Sequence, residues 1–267
     1  MVLAVFSGLS LAADGDPRLS LPASVPQGGL VLGRAPPDTE IHYAGRRLRI
    51  AEDGSFVFGI GRDDTGPAAL QARFADGTMV RPTLAIVPRL WAIERVDGVP
   101  ETTVNPPPEI ARRIASEQAE VARARERDDG RSDYRFGFRW PAQGRISGVY
   151  GSQRILNGTP KNPHYGTDIA VATGTPIQAP AAGIVSFADS DLYLTGGTVL
   201  IDHGHGLSSS FLHMSRIEVK LGDRVEQGQV VGRVGQTGRA SGPHLHWGLN
   251  WFDVRIDPQL LVAPMQQ

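Results

Sequence analysis

Hydrophobic and polar residues alternate in short runs through two long stretches of the chain, and turn residues separate these runs. The first stretch, residues 14–90, carries apolar pairs at alternate positions, such as Phe56 and Phe58. The dipeptides Asp53-Gly54 and Asp76-Gly77 favour hairpin turns between runs, because glycine tolerates a positive φ. Several short strands at this spacing predict a small antiparallel β-sandwich of immunoglobulin-like size.

A proline run and a highly charged segment follow, and together they predict a helical linker over residues 91–132. Asn105 is followed by three prolines, which stop any strand. In the charged segment, Ile110, Ile114 and Val121 lie near helical spacing. Acidic and basic residues balance there, which favours a solvated helix between two domains over a nucleic-acid-binding arm.

The second stretch, residues 133–262, again shows strand-like alternation, with glycine at most breaks between runs. Two of its segments, residues 174–185 and 222–231, resemble each other, as in lipoyl- and biotinyl-carrier domains. A carrier needs a modifiable lysine between such repeats, and neither Lys161 nor Lys220 lies there. We therefore predict a mainly β chain with an N-terminal sandwich, a short helical linker and a C-terminal antiparallel sheet domain.

Composition narrows the chemistry available to the chain. The chain has 27 lysine and arginine residues and 28 aspartate and glutamate residues, so it has no net positive charge that would attract nucleic acid. There is no cysteine, which excludes disulfides, thiolate metal sites and cysteine nucleophiles. Any bound metal must be held by histidine and carboxylate. Of seven histidines, six lie at or beyond position 164, so the chemistry is expected in the C-terminal half.

The N-terminus carries a short apolar run that resembles part of a secretory signal. Val2 to Ala13 is apolar, ends in small residues and is too short to span a bilayer. No basic residue precedes Arg18, although a signal normally begins with one, so an ordinary strand is the alternative. We predict a signal peptide at residues 1–13, export to the periplasm or cell envelope, and no stable membrane span.

Histidine and aspartate recur at alternating spacing near the C-terminus. In an extended strand, residues i, i+2 and i+4 share one face, so His164 aligns with Asp168 and His244 aligns with His246. Two imidazoles and one carboxylate are a sufficient ligand set for a catalytic zinc ion, which keeps a fourth position for water.

These motifs resemble, in order and spacing, the M23 family of zinc metallopeptidases, the lysostaphin-type peptidoglycan endopeptidases. The resemblance runs from about Trp140 to Pro258, about half of the chain. It rests on Gly148-Val149-Tyr150-Gly151, His164-x-Gly-x-Asp168, Gly174-Thr175-Pro176, Gly183, His213-x-Ser215, Gly222-Asp223, Gly228-Gln229, Gly235-x-Thr237-Gly238 and Gly242-Pro243-His244-Leu245-His246.

The resemblance implies an antiparallel sheet with a long groove and one zinc ion per chain, held by His164, Asp168 and His246. It also implies that His213 and His244 flank the reacting water. One of them would act as general base and the other would stabilise the oxyanion. The resemblance does not indicate which histidine has which role. The implied function is zinc-dependent hydrolysis of the stem-peptide cross-links of bacterial peptidoglycan.

Two further hypotheses accompany this one. A non-catalytic member of the same fold would activate a separate cell-wall amidase, but such members usually lose ligand or catalytic positions, and here all five are filled. Independently, the N-terminal domain or the linker would cover the groove within the same chain. Both hypotheses follow from the resemblance and from the order of the segments.

We expect the remaining candidate residues to have structural or surface positions rather than catalytic roles. We expect a structural role for His203, surface positions for Asp202 and Asp253, and core positions for Trp247 and Trp251. His42 has no nearby partner in sequence and is expected to be an ordinary strand residue. The loop from Leu156 to Pro163 has no tyrosine, so Tyr150 or Tyr193 would have to supply a hydroxyl to the oxyanion.

Overall fold

The structure is a computed structural model, and it describes residues 16–98 and 107–265. The chain divides between Arg89 and Leu90 into two compact units. The segment 1–13, predicted as a signal peptide, lies outside the described residues. Within the described residues, no helix combines the length and the apolar character that a membrane crossing requires.

The first unit is built of two small sheets. Its strands are β1 (Ser24–Pro26), β2 (Leu30–Arg34), β3 (Glu40–Tyr43), β4 (Arg46–Leu48), β5 (Ser55–Gly59), β6 (Ala68–Arg73), β7 (Met79–Val80) and β8 (Thr83–Val87). β2 pairs with β5, and the other strands form a sheet in the order β1, β8, β6, β3, β4, with β7 beside β6. The sheets are in contact, since the rings of Tyr43 and Phe58 lie 4.4 Å apart between centroids.

Two details of the first unit differ from the prediction. β1 pairs with β8 in parallel, so the sheet is not antiparallel throughout. Asp76-Gly77 forms the predicted hairpin between β6 and β7, but Asp53-Gly54 joins β4 to β5, which belong to different sheets. Turn residues favour a reversal of the chain, whereas pairing depends on contacts with distant strands. Here the Ala35 N–H donates to the Gly54 carbonyl at 2.9 Å and so ties this turn to another loop.

The second unit contains the single long helix of the described chain and most of its strands. The elements are β9 (Ile93–Val96), α1 (Pro108–Arg125), a 3-10 helix (Asp133–Phe136), β10 (Arg145–Gly148), β11 (Gln153–Leu156), β12 (Thr159–Pro160), β13 (Thr167–Ala170), β14 (Pro176–Gln178), β15 (Gly183–Leu192), β16 (Gly196–Asp202), β17 (Leu207–Ile217), β18 (Arg224–Val225), β19 (Val230–Val234), β20 (Leu245–Trp251), β21 (Val254–Ile256) and a second 3-10 helix (Pro258–Leu261). The prediction of a mainly β chain with one helix is confirmed.

A ten-stranded sheet forms the body of this unit. Its main order is β10, β13, β20, β17, β16, β15, β18, with β21 beside β20 and with β19 beside β17 and β14. Ile169, Phe211 and Trp247 are fully buried and contribute to one apolar core. Trp251 is buried as well, as predicted for both tryptophans. Because side chains alternate along a strand, Asp168 and His246 lie on the sheet face opposite this core.

Helix α1 is held by polar contacts rather than by a buried apolar face. It begins with Pro108 in the first turn, where the missing N–H costs no hydrogen bond, and none of its residues is buried. Arg113 Nη2 donates to the Asp191 carbonyl at 2.5 Å, and Glu117 Oε2 accepts from the Tyr193 N–H at 2.8 Å. The helix therefore packs against the β15–β16 hairpin through charged and backbone groups.

The segment that follows the helix covers a buried carboxylate. Asp202 is only 1% exposed and contacts the guanidinium groups of Arg127, at 3.0 Å, and Arg131. The prediction that Asp202 lies on the surface was wrong, because these two arginines come from a distant part of the sequence and shield it. Asp253, by contrast, is exposed as predicted.

Gly204 permits this close packing, and we expect its substitution by alanine to destabilise the second unit. A Cβ at Gly204 would lie 1.7 Å from the Arg131 carbonyl oxygen. Gly222 is the matched control, since its φ of 90° resembles the 89° of Gly204 but its Cβ would meet no atom within 4 Å.

In both variants the alanine must adopt a left-handed backbone conformation, which is strained. Only in Gly204→Ala does the new Cβ also overlap with the Arg131 carbonyl group. We expect Gly204→Ala to lower the free energy of unfolding by about 1–3 kcal/mol more than Gly222→Ala. Chemical denaturation followed by tryptophan fluorescence measures the difference, because all four tryptophans lie beyond residue 89. Equal destabilisation by the two variants would contradict the packing argument.

Candidate metal centre

Three candidate ligands converge because two neighbouring strands place them in register. Asp168 on β13 lies directly opposite His246 on β20 in the antiparallel ladder. His164 precedes β13, and its N–H donates to the Ser152 carbonyl at 2.7 Å, which fixes its backbone beside the strand. The structure thus brings together the three residues that the sequence predicts as a metal-ligand set.

The three donor atoms form a small triangle. His164 Nε2 lies 3.0 Å from Asp168 Oδ1 and 3.0 Å from His246 Nδ1, and His246 Nδ1 lies 2.9 Å from Asp168 Oδ1. Donor atoms bound tetrahedrally to zinc at their usual distances would lie about 3.3 Å apart. A widening of a few tenths of an ångström would therefore accommodate the ion.

Hydrogen bonding at the far side of His164 shows why this triangle suits a cation. His164 Nδ1 lies 3.1 Å from the Val149 carbonyl, which can only accept, so Nδ1 carries the proton in the neutral ring. His164 Nε2 then directs a lone pair at the Asp168 carboxylate. Two electron-rich atoms at 3.0 Å repel each other unless a proton or a metal ion lies between them. Both the donor types and their arrangement fit zinc.

The ionisation of these groups reflects the same arrangement. Burial opposes ionisation of Asp168, but the close contacts of its carboxylate with the His164 and His246 rings hold the pKa of that carboxyl far below the usual range. Burial likewise opposes protonation of His164, yet its contact with Asp168 raises the pKa of that ring. Burial lowers the pKa of His246. The carboxylate is therefore ionised, and the His246 ring is neutral at pH 7.

Two further histidines stand beside the triangle, with their tautomers fixed. The rings of His213 and His244 lie 4.7 Å apart between centroids. His213 Nδ1 lies 2.8 Å from the Thr237 carbonyl, and His244 Nδ1 lies 2.8 Å from the Gly242 carbonyl. Both Nδ1 atoms therefore carry the proton in the neutral rings, which leaves each Nε2 able to accept one.

The positions of these two rings differ in detail. His244 Nε2 lies 3.8 Å from Asp168 Oδ1, so it faces the three donor atoms. His213 has a φ of 63°, a strained conformation for a side chain of this size, and its N–H donates to the Thr195 carbonyl at 2.8 Å. Burial lowers the pKa of His213 to about 4, so this ring is neutral at pH 7.

The other histidines have structural partners. His203 is fully buried, with Nδ1 donating to the Ala182 carbonyl at 2.7 Å and Nε2 accepting from the Ser209 hydroxyl at 2.8 Å. Its predicted structural role is confirmed. His42 lies on β3, as expected, but it does have a partner, since its Nε2 lies 3.1 Å from Glu40 Oε1.

The predicted hydroxyl donor to the oxyanion is not supplied by Tyr150. Its O–H donates to the Arg255 carbonyl at 2.8 Å and its side chain is buried. Tyr193 is partly exposed, at 39%, and Arg113 lies over its ring at 5.7 Å from the centroid. Of the two tyrosines named from the sequence, only Tyr193 has an accessible side chain.

Comparisons with known proteins agree with this geometry. Residues 162–258 match the model of Peptidase family M23. The chain is also 35% identical to a protein from Pseudomonas aeruginosa that is assigned to peptidase M23 and has a crystal structure. That match covers 87% of this chain and 92% of the other, with a TM-score of 0.66. The chain belongs to peptidase family M23.

Curated relatives of this M23 chain include enzymes of the bacterial cell wall. It is 41% identical over 106 residues to peptidoglycan DD-endopeptidase ShyA of Vibrio cholerae, covering 39% of this chain and 24% of that protein. It is 30% identical over 161 residues to the cell division protein DipM of Caulobacter vibrioides, covering 60% of this chain and 25% of that protein. The chain thus matches about a quarter of the length of these relatives.

Two glycines shape the candidate metal centre, and their contribution was not recognised in the sequence. A Cβ at Gly148 would lie 2.3 Å from Asp168 Oδ2, and a Cβ at Gly166 would lie 2.5 Å from His246 Nε2. Both glycines stand in the family motifs, but only the folded chain shows that a side chain there would displace a ligand.

We expect the purified full-length chain to bind about one zinc ion, and loss of a ligand to weaken binding strongly. Asp168→Ala or His246→Ala removes a donor atom, which costs more than the about 10–100-fold loss for an outer-shell partner. Competition with a chromophoric chelator measures the affinity. His42→Ala is the control and should bind zinc as the native chain does. Native affinity in both ligand variants would refute the assignment.

We also expect Gly148→Ala to weaken zinc binding without removing any ligand. The new methyl group would displace the Asp168 carboxylate from its position opposite His246. Gly130→Ala is the matched control, because a Cβ there would meet no atom within 4 Å and neither glycine has a positive φ. The same chelator competition compares the two variants, and equal affinities would show that Asp168 has room to move.

Proposed function

We propose that this chain is a zinc-dependent endopeptidase that hydrolyses peptide cross-links in bacterial peptidoglycan. The observation that carries the proposal is the arrangement of five side chains. His164, Asp168 and His246 converge on one point, and the rings of His213 and His244 stand beside it, each with its Nδ1 against a backbone carbonyl. A ligand set with adjacent proton-accepting groups is the arrangement that metal-assisted hydrolysis requires.

In this proposal the chain itself supplies the ligands and the orientation of each ring. His164, Asp168 and His246 would hold one zinc ion, which supplies Lewis acidity and lowers the pKa of water to about 7. The Val149 carbonyl fixes the tautomer of His164, so that Nε2 is presented as a ligand. Gly148 and Gly166 leave the space in which the ligands approach one another.

His213 and His244 would handle the protons of the reaction. Each ring holds its Nδ1 proton against a carbonyl, so each Nε2 is free to take a proton from water or to return one to the leaving amine. The low pKa of His213 keeps it neutral before the reaction, as a proton acceptor must be. In the protonated state either ring would also stabilise negative charge on the scissile carbonyl oxygen.

The peptidoglycan substrate is inferred from family membership and from named relatives. ShyA is a peptidoglycan DD-endopeptidase, and it matches this chain at 41% identity over 106 residues. A cell-wall substrate implies an exported protein that acts in the periplasm or cell envelope. Cover of the groove by the N-terminal domain or the linker stays a prediction.

Hydrolysis of isolated sacculi tests the proposed function. We expect the zinc-loaded full-length chain to release soluble muropeptides, with one new amine and one new carboxylate for each cross-link cleaved. A chelator should abolish the release, and added zinc should restore it. His213→Ala or His244→Ala should lower the rate about 10²- to 10⁴-fold while zinc binding stays near native, because these rings handle protons rather than hold the ion.

Mass analysis of the released muropeptides identifies the bond that is cut. His42→Ala is the control and should retain the native rate. A chain that binds zinc but releases nothing from sacculi of several wall types would contradict the proposal. If it stimulated a purified cell-wall amidase instead, the non-catalytic activator hypothesis would replace it.

A further inference from the structure

A short turn before β11 holds the candidate ligand His164 by its backbone and by its ring. The N–H of Gly151 donates to the carbonyl of His164 at 2.8 Å, and the N–H of His164 donates to the carbonyl of Ser152 at 2.7 Å. In the same turn, the Val149 carbonyl lies 3.1 Å from Nδ1 of the His164 ring. Both the backbone and the tautomer of His164 therefore depend on the position of residues 149–152.

Trp91 packs against this turn from a distant part of the sequence. Its indole lies directly on the backbone of Gly151, since a Cβ added there would overlap the indole ring. The rings of Trp91 and Tyr150 are also in edge-to-face contact, with their centroids 5.7 Å apart. Gly151 has a φ of 82°, which glycine adopts without strain. This glycine thus both permits the turn and leaves room for the indole.

The strand that follows Trp91 continues the same attachment. The Gln153 N–H donates to the Ala92 carbonyl at 2.9 Å, and β9 then pairs in parallel with β11. Across this pair, Arg154 Nε donates to Glu94 Oε2 at 2.8 Å, but both side chains are exposed, so the ion pair stabilises little. The indole of Trp91 is partly buried, so we expect it to contribute more to holding the turn.

The other two candidate ligands are held differently. Asp168 lies on β13, which has β10 and β20 on its two sides, and His246 lies on β20, which has β13 and β17 on its two sides. Hydrogen bonds to two neighbouring strands fix the backbone of each. His164 precedes β13 and lies outside this ladder. Of the three, His164 is therefore the ligand whose position depends on the turn at residues 149–152.

We propose that Trp91 is a positioning residue for the candidate metal centre and that it holds His164 in place through this turn. Without the indole, Gly151 and its neighbours would be free to shift, and His164 would shift with them. A metal ligand must be held closely by the groups around it if the ion is to bind tightly. Trp91 lies outside residues 162–258, which match the family model. The link to zinc rests on the proposed function.

Amide hydrogen exchange of the zinc-free full-length chain, followed by NMR, tests the positioning without the metal. We expect Trp91→Ala to accelerate exchange of the Gly151 and His164 amides on the order of tenfold, because the turn opens more often. The His213 amide, which donates to the Thr195 carbonyl in another part of the unit, should exchange as in the native chain. Equal acceleration at all three amides, or at none, would overturn the proposal.

Competition with a chromophoric chelator tests whether this positioning affects the metal. We expect Trp91→Ala to bind zinc about tenfold more weakly than the native chain, at the lower end of the effects of groups that support a ligand. Trp91→Phe keeps an aromatic ring against Gly151 and should restore most of the affinity. Leu90→Ala is the matched control, because Leu90 is fully exposed, and it should bind zinc as the native chain does. Native affinity in Trp91→Ala would overturn the role of Trp91.

A pair of glycine variants tests the contact from the other side. Gly151 and Gly158 have φ values of 82° and 78°, so alanine is strained at both positions, but a Cβ at Gly158 would meet no atom within 4 Å. We expect Gly151→Ala to bind zinc about tenfold more weakly than Gly158→Ala. In the Trp91→Ala background this difference should shrink, because the overlap is with the indole. Equal affinities of the two single variants would contradict the proposed contact.

The failure of this proposal is distinguishable from the failure of the proposed function. A native chain that binds no zinc would refute the proposed function, and amide exchange would still decide whether Trp91 positions His164. A chain that binds zinc and cleaves sacculi, but in which Trp91→Ala changes neither amide exchange nor zinc affinity, would support the endopeptidase and refute the role of Trp91.

Discussion

The pairing of β13 with β20 is the constraint on which the candidate site depends. It places Asp168 opposite His246 and turns both away from the apolar core that Ile169 and Trp247 form on the other face. A shift of one residue would turn the candidate ligands toward the core and the core residues toward the opposite face of the sheet. The burial of Ile169 and Trp247, which lie next to the candidate ligands along the two strands, thus largely maintains the positions of those ligands.

The groups around the candidate ligands fix the protonation of the rings and leave space for them to approach one another. Backbone carbonyls hold the Nδ1 proton of His164, His213 and His244, so three rings present Nε2 in a defined state. Carbonyls hold their positions through the fold, which makes them more rigid partners than side chains would be. Glycines at 148 and 166 complete the arrangement by leaving space at the points of closest approach.

Local pattern in the sequence predicted much of the fold and paired His164 with Asp168 and His244 with His246, whereas the full set of site residues, His213 included, came from the resemblance to the M23 family. The i, i+4 spacing of His164 and Asp168 and the i, i+2 spacing of His244 and His246 can be read locally, although His164 lies just before β13 and His244 just before β20. Strand order is different, because the Asp53-Gly54 turn looks like a hairpin but joins two sheets. The burial of Asp202 depends on arginines about 70 residues away, and no local pattern indicates that contact.

Helix α1 introduces a sensitivity that the sheet lacks. The helix has no buried residue, and its contacts with the β15–β16 hairpin run through Arg113 and Glu117, near the solvent. Mobile ions screen such contacts over about 10 Å at 0.1 M salt, whereas they leave apolar burial largely unchanged. The ionic strength of the surroundings would therefore determine how firmly the helix is held against the hairpin, while the apolar core of the sheet would be little affected.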